Sequence, residues 1–406
     1  IVIRHNISYR TRNGGDTIVA RAVRVDVSRD VLEWAVDKSQ KRVQLEATLP
    51  MLKKWLAGEV KPTLNQLEDL ARKTHVPLGV LFLPYPPVEE LPIPNYRTFG
   101  DESMDEPSRN LIDTVKMMVG RQTWLREYLI EEGFAPKSFV GSARITDPVT
   151  DVAANIRKTL GLPMDWAENV GTWEDALNKI FRSAENAGII VARNGVVGNN
   201  TRRTLDKTEF RGFVLVDEYA PLIFINGTDY KAAQMFTFAH ELAHLWFGHS
   251  GVFDLAFLQP ADHDIERACN KIAAEVLVPA ELLVDQMPQQ LQSLEHATVM
   301  QDLARRFKVS PLVIAKRAFD MEFISQHEYS AYYDSYLDGV RKREGRERDQ
   351  AGGDFYRNQN YRVGRLFFRH VANAVKENKL LYREAYRLTG LRGDTFEMMR
   401  QLAVAI

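Results

Sequence analysis

The strongest constraint on this chain is an H-E-x-x-H pattern at residues 240–244. Residues i and i+4 of an α-helix share one face, so the imidazoles of His240 and His244 can bind one metal ion. Glu241 lies next to the first histidine, where its carboxylate can deprotonate a zinc-activated water instead of binding the metal. Residues 235–247 have the apolar periodicity of an amphipathic helix, preceded by a strand and a turn. The sequence therefore predicts a Zn²⁺ site on a helix, with Glu241 as the catalytic base.

The third zinc ligand is predicted from the next helical segment. A zinc hydrolase usually has three protein ligands and leaves the fourth position to water, and Glu266 and Glu275 are the candidates here. They are nine residues apart, a rotation of about 900° along a helix, so they point to opposite faces and cannot both serve. Glu266 shares its face with Asn270 and with small residues that allow close packing. We predict Glu266 as the third ligand and Asn270 as a residue that orients a ligand by hydrogen bonding.

Other side chains near the pattern leave alternatives open. Cys269 lies about one helical turn after Glu266 and is a candidate soft ligand, although a buried small residue is the commoner role for a cysteine. His249 and His263 are candidate loop or pocket residues, and either could stabilise an oxyanion. Six residues after His244, where metzincins have a third histidine, this chain has Ser250, which excludes that pattern.

The composition is that of an ordinary globular protein. Hydrophobic residues make up 45% of the chain and charged residues 26%, with a formal net charge of −1. No overall charge therefore commits the protein to nucleic acid or to a membrane surface. The single cysteine, Cys269, can form no disulfide within the chain, which favours a reducing, cytoplasmic location. Since no apolar run approaches the length of a bilayer span, we expect no membrane partner.

The periodicity predicts a predominantly helical α+β protein with a small sheet. Short apolar segments at 189–192, 213–216 and 222–225 are typical of buried strands, and Asn-Gly pairs follow the first and third of them. Helical patterns flank these strands, at 148–160, 172–187, 230–247, 302–307 and 311–319.

Changes in composition divide the chain into six segments. A proline-rich run after residue 83 ends the first helical region, because proline interrupts helices. The predicted segments are an arm or tag remnant at 1–26, a compact helical domain at 27–83, a proline-rich strap at 84–107, a metallopeptidase domain at 108–290, a helical extension at 291–340 and a basic helical region at 341–406.

Three runs of sequence resemble the ImmA/IrrE family of zinc metallopeptidases. They are Phe236 to His244, Ile265 to Asn270 and Ala273 to Pro279. The resemblance implies a zincin-like catalytic domain that contains the small sheet and the H-E-x-x-H helix. It also implies that both histidines and the glutamate of an E-x-x-x-N element hold zinc, while the glutamate after the first histidine is the catalytic base.

Carried over by position, the family's zinc ligands are His240, His244 and Glu266, and its base is Glu241. Family members resemble regulatory proteases that act in stress responses, mobile elements or toxin–antitoxin pairs. The function expected from the sequence is therefore a zinc-dependent endopeptidase that cleaves a repressor or antitoxin-like protein through zinc-activated water. The alternative is a DNA-binding transcriptional regulator, or the antitoxin of a toxin–antitoxin pair, with weak or no proteolysis.

Residues 27–83 resemble the Xre-type helix-turn-helix domain that is often fused to such peptidases. The matching elements are Trp55, Gly58, Pro62-Thr63, Gln66-Leu67 and Leu70-Ala71. Segment 41–48 is short and irregular, so the sequence does not predict a regular second helix there. Residues 1–100 hold 15 Lys/Arg against 11 Asp/Glu, a mild basic excess. Candidate DNA-binding residues are Lys53, Lys54 and Lys61, and the alternative roles are homodimerisation and recognition of a partner protein.

The C-terminal region 341–406 is more basic, with 15 Lys/Arg against 8 Asp/Glu. Such a region could bind nucleic acid or an acidic protein such as a cognate toxin. A solvated helical hairpin that covers the catalytic domain is the alternative.

Overall fold

The computed structural model describes residues 23–39, 41–89, 107–253, 264–287, 296–344 and 360–404. The chain divides into two compact units, residues 1–89 and residues 90–406, and each has its own hydrophobic core. Within the described ranges, no helix combines the length and the apolar character needed to cross a membrane.

The first unit is a bundle of short helices. These are α1 (Arg29–Lys38), α2 (Arg42–Thr48), α3 (Leu52–Leu56) and α4 (Leu64–Thr74), followed by a 3-10 turn at Leu78–Phe82. Their apolar faces meet around Leu32, Leu52 and Leu67, which are fully buried. Helix α2 differs from the sequence expectation for segment 41–48. Its Leu45 is buried in the same core, and this tertiary contact stabilises a helix that local propensity does not predict.

Helix α4 begins with a capping box, which gives a testable prediction. The Thr63 side chain accepts a hydrogen bond from the backbone N–H of Gln66 (3.3 Å), and Gln66 Oε1 accepts one from the N–H of Thr63 (2.9 Å). We expect Thr63→Ala to destabilise the first unit by about 1 kcal/mol, because the backbone N–H of Gln66 loses its side-chain acceptor. Hydrogen exchange of the α4 amides measures this effect. Thr63→Ser, which keeps the hydroxyl, should exchange like the wild type, and equal protection in the alanine variant would contradict the prediction.

A four-stranded sheet lies at the centre of the second unit. In chain order the strands are β1 (Ile190–Asn194), β2 (Val196–Val197), β3 (Asn200–Thr204), β4 (Gly212–Leu215), β5 (Leu222–Asn226) and β6 (Gly251–Phe253). The central sheet has the order β1-β5-β4-β6, in which β1 and β5 are parallel and the other pairs are antiparallel. Strands β2 and β3 form a separate antiparallel pair.

Helices surround this sheet on both faces. Their bounds are α5 (Arg109–Glu131), α6 (Val149–Thr159), α7 (Trp173–Asn186), α8 (Lys231–Phe247), α9 (Asp264–Leu277), α10 (Ala280–Gln286), α11 (His296–Phe307), α12 (Pro311–Asp320), α13 (Gln326–Glu344), α14 (Arg365–Lys376), α15 (Tyr382–Thr389) and α16 (Gly393–Val404).

The alternation of side chains along each strand divides the second unit into two cores. Val191, Val214 and Ile223 face α6–α9, α11 and α12. Ile190, Phe213 and Phe224 point to the opposite face, where they pack against α5 and α14–α16. Successive strand residues alternate between the two faces, so strands whose residues are all apolar need helices on both sides. The C-terminal helices are therefore an integral layer of this unit.

Helix α14 is joined to the rest of the unit at its first turn. Gly364, at φ +84°, approaches the edge of β1 so closely that a Cβ atom there would lie 2.8 Å from the carbonyl oxygen of Val191. The buried carboxyl of Glu185 on α7 accepts a hydrogen bond from the N–H of Leu366 (3.0 Å). Burial raises the pKa of Glu185 to about 7, although this backbone hydrogen bond acts in the opposite direction.

The structure confirms the predicted fold class, a predominantly helical α+β protein with a small sheet. It differs from the sequence prediction at α8. The sequence indicates an amphipathic helix at 235–247, but residues Gln234 to Trp246 are all buried. The physical reason is that α8 lies between the sheet and helices α6, α7 and α9, so no face of it meets solvent along this stretch.

Candidate metal centre

Helix α8 carries the H-E-x-x-H pattern into the interior of the second unit. Its last turn is closed by Gly248 at φ +73°, the left-handed conformation that glycine favours at a helix C-terminus. Two carbonyl groups near this end accept backbone hydrogen bonds from another segment: Gly141 donates to Leu245 and Ala143 to Trp246, both at 2.9 Å. The helix is therefore fixed close to the histidines.

Donor atoms of three side chains converge between α8 and α9. The Nε2 atoms of His240 and His244 lie 3.0 Å apart. The two carboxylate oxygens of Glu266 lie 3.1 Å from His240 Nε2 and 3.2 Å from His244 Nε2. Zinc–ligand bonds of about 2.0–2.1 Å at tetrahedral angles place neighbouring ligand atoms about 3.3 Å apart. The three side chains thus fit one tetrahedrally coordinated zinc ion.

The electrostatics of the three side chains also suit a cation. Burial acts to raise the pKa of Glu266, but hydrogen bonds with His240 and His244 outweigh it and lower that pKa below its usual range. Burial lowers the pKa of His244, which favours the neutral imidazole that a metal requires. The donor set is therefore one carboxylate and two imidazoles, the set of several zinc hydrolases.

Asn270 contacts His240 at Nδ1, the ring nitrogen that does not face Glu266. His240 Nδ1 donates to Asn270 Oδ1 at 2.9 Å, because an amide oxygen can only accept. This hydrogen bond places the proton on Nδ1 and leaves the Nε2 lone pair for a metal. Asn270 is one turn after Glu266 on α9, so one helix face supplies both a donor atom and the residue that orients its neighbour.

The Glu241 carboxylate is a buried group that the described protein atoms leave without a partner. Its side chain is almost fully buried, and neither carboxylate oxygen has a hydrogen-bond partner in the ranges that the structure describes. Burial, assisted by the negative charge of Glu266, raises the pKa of Glu241 well above its usual value. A buried carboxylate without a partner is costly. A cation and water held beside it would supply the missing interactions.

Glu275 and Cys269, the other ligand candidates, have different surroundings. Glu275 is on the opposite side of α9, where it forms a buried ion pair with Arg317 of α12. Cys269 is fully buried, and its Sγ atom lies within 4.8 Å of donor atoms of His240 and His244. The Glu266 oxygens lie 3.1 and 3.2 Å from the two histidine Nε2 atoms, whereas burial raises the pKa of the Cys269 thiol well above its usual value. A thiol must be deprotonated to bind zinc strongly, so Glu266 fits the third position better.

Metal content distinguishes these two ligand sets. We expect Cys269→Ala to keep about one zinc ion per chain and Glu266→Ala to lose it, because only Glu266 bridges both imidazoles. Elemental analysis of the purified variants, with His240→Ala as the zinc-free reference, checks this prediction. Zinc that survives in Glu266→Ala but disappears in Cys269→Ala would assign the third position to the thiol.

The remaining candidate residues have other contacts or lie outside the described residues. The backbone N–H of His249 donates to the carbonyl of His244 (3.1 Å), and His263 lies outside the described residues. In the first unit, Lys53 pairs with Glu46 (3.3 Å) and Lys61 with Asp26 (2.7 Å), while Lys54 is exposed on α3. Partial neutralisation by neighbouring acids weakens the positive field of this surface.

The sequence analysis did not identify the side chains that hold Trp246, near the end of α8, or the glycine that ends this helix. Asn155 on α6 accepts a hydrogen bond from Trp246 Nε1 (2.8 Å), and Trp246 stacks on Phe139 with ring centroids 4.7 Å apart. No local pattern could have identified Asn155, because this contact depends on how α6 packs. Gly248 could have been found, since a glycine directly after the last periodic residue is a signal for a helix C-terminus.

Two family models match parts of the second unit. Residues 363–399, which include α14 and α15, match DUF8813, a domain of unknown function. A search of curated proteins finds no match for the chain. Residues 184–319 match Peptidase_M78, the IrrE N-terminal-like domain, and this segment contains the sheet, the H-E-x-x-H helix and α9. The match supports the assignment of this part of the chain to the ImmA/IrrE family of metallopeptidases.

Proposed function

We propose that this protein is a zinc-dependent endopeptidase of the regulatory ImmA/IrrE type, which acts on a repressor or antitoxin-like protein. The observation that carries the proposal is the buried Glu241 carboxylate, which directly follows His240 in sequence and has no hydrogen-bond partner among the described residues. His240, His244 and Glu266 converge on one point with tetrahedral ligand spacing, and residues 184–319 match a peptidase family.

Each side chain then has a distinct role. His240, His244 and Glu266 hold the metal, and Asn270 fixes the tautomer of His240 through Nδ1. Zinc, when bound, supplies Lewis-acid chemistry that polarises a peptide carbonyl and makes water more acidic. Glu241 accepts a proton from the attacking water at one carboxylate oxygen and delivers it to the amine nitrogen of the leaving peptide. Its raised pKa allows the protonated intermediate state of this transfer.

Metal removal tests the proposed activity. The purified chain is incubated with a diverse peptide mixture, and new termini are identified by mass spectrometry. We expect cleavage by the zinc-loaded protein, loss of cleavage after chelation, and recovery when zinc is added back. Cleavage that persists after complete metal removal, or in Glu266→Ala, would exclude a zinc peptidase. Stoichiometric zinc without any cleavage would instead favour the alternative, a regulator in which the metal site has a structural or sensing role.

A further inference from the structure

The helices that match a domain of unknown function contain a concave, basic pocket. It has a volume of about 810 Å³ and is lined by Leu381, Arg383, Glu384, Tyr386, Arg387 and Arg392. All six residues lie within the matched segment 363–399. The volume is within the range of about 300–1,000 Å³ that is typical of ligand sites. The pocket residues are separate from the zinc-site residues on α8 and α9.

The three arginines of this pocket carry positive charge that no acidic side chain of the described residues neutralises. In the described part of the chain, Arg383, Arg387 and Arg392 make no ion pair and no side-chain hydrogen bond, although Glu384 lines the same pocket. Some exposed basic residues of the second unit do pair with nearby acids, for example Arg305 with Asp302 and Arg400 with Glu397. Three guanidinium groups that share one concavity without acidic partners leave a local positive potential, which attracts an anionic ligand.

Apolar groups accompany these charges. Leu381, directly before α15, is 71% exposed, so its side chain does not contribute to the core on which this helix packs. Tyr386 forms an edge contact with Phe396 of α16, with ring centroids 5.5 Å apart, and Tyr382 is also partly exposed. A ligand for this surface therefore combines negative charge with apolar side chains.

The pocket is built on a fixed support. On the inner side of α15, Ala385 and Thr389 are buried. Arg121 of α5 donates from Nε to the carbonyl of Leu388 (2.9 Å), and Asn199 Nδ2 donates to the carbonyl of Gly390 (3.1 Å). These contacts fix the backbone at the C-terminal end of α15, the helix that carries Arg383 and Arg387 at i and i+4. Such preorganisation reduces the entropy lost on binding.

We propose that this pocket binds an acidic, leucine-containing segment of a partner protein. Guanidinium groups form paired hydrogen bonds with carboxylates, and Leu381 with Tyr386 offers contact to an apolar side chain. Glu384 favours a peptide over a nucleic acid, because a peptide can place an uncharged residue beside this carboxylate, whereas every unit of a nucleic-acid backbone carries a phosphate charge. The proposal concerns binding alone and does not depend on the zinc-dependent activity.

Fluorescence anisotropy with the full-length protein tests the pocket. The probe is a labelled, glutamate-rich peptide that contains leucine, and a second peptide has glutamine in place of every glutamate. We expect saturable binding of the first peptide and about tenfold weaker binding to the triple variant Arg383→Ala/Arg387→Ala/Arg392→Ala, because three exposed charge contacts are lost. The glutamine peptide should bind the wild-type protein as weakly as the acidic peptide binds the triple variant. Arg182→Ala, which removes an exposed arginine from α7, is the matched control and should bind like the wild type.

Three results would overturn the proposal. One is no saturable binding of the acidic peptide by the wild type, and another is equal binding by the triple variant. The third is arginine-dependent binding of a labelled single-stranded oligonucleotide that is tighter than peptide binding, which would assign the pocket to nucleic acid. Because all three arginines are exposed, the triple variant should keep the wild-type thermal midpoint. If that midpoint falls, Arg387→Ala alone is compared in the same assay, where unchanged peptide affinity would also reject the proposal.

Discussion

Replacement of Glu241 by glutamine is expected to leave zinc bound and to reduce peptide hydrolysis by about 10²–10⁴-fold, the usual contribution of a general base. The substitution keeps the size of the side chain but removes its ability to accept a proton. Glu241 is not among the three converging donor groups, which are contributed by His240, His244 and Glu266. The Glu241→Gln variant should therefore keep the zinc content of the wild type while its catalytic rate falls.

The measurement compares kcat/KM on a cleavage site identified with the wild-type protein, together with zinc content. Glu281→Gln is the matched control, because Glu281 is an exposed residue on α10 and should keep both zinc and activity. His240→Ala should lose both zinc and activity, which gives the pattern expected of a ligand. A Glu241→Gln protein that cleaves at the wild-type rate would remove Glu241 from the mechanism. One that loses zinc would make Glu241 part of the metal-binding set.

Helix geometry explains how much of the candidate centre could be predicted from the sequence. The spacing of His240 and His244 and the opposite orientations of Glu266 and Glu275 depend only on a local, regular backbone. The structure indeed brings the first three together and directs Glu275 elsewhere. The approach of Asn270 to His240 followed from the same helix face. Helix pitch thus predicts which side chains share a face, whereas the approach of α9 to α8 depends on how the two helices pack.

Contacts between distant segments could not be predicted in this way. Strand β1 pairs in parallel with β5 although β2, β3 and β4 lie between them in the chain. The approach of Gly364 to the carbonyl of Val191 depends on how the C-terminal helices pack on the sheet. The burial of α8 and the formation of α2 also depend on contacts with other segments of the chain. Periodicity identifies an element, but packing decides what covers it.

Breaking the buried ion pair between Glu275 and Arg317 is expected to lower the free energy of unfolding substantially. The two side chains are 7% and 10% exposed, respectively. Glu275 Oε1 also accepts a hydrogen bond from the N–H of Ala280 (3.2 Å), and Arg317 Nε donates to the carbonyl of Val278 (3.2 Å). We expect Arg317→Met to lower the free energy of unfolding by about 3–5 kcal/mol, because it leaves a buried carboxylate without its counterion. Urea unfolding of the full-length protein measures this change.

The reason for the large effect is the asymmetry between removing one charge and removing both. In the double variant Glu275→Gln/Arg317→Met no uncompensated charge remains, so it should be more stable than Arg317→Met alone. The neighbouring residue on α12 supplies the control: Lys316 pairs with Asp320 at the surface, and Lys316→Met should change stability by only about 0–1 kcal/mol. An Arg317→Met protein as stable as the Lys316 variant would show that this pair does not stabilise the fold. Since Arg157 also donates to the backbone carbonyl of Glu275 (2.7 Å), α9 should remain in place and the Arg317→Met protein should still bind zinc through Glu266.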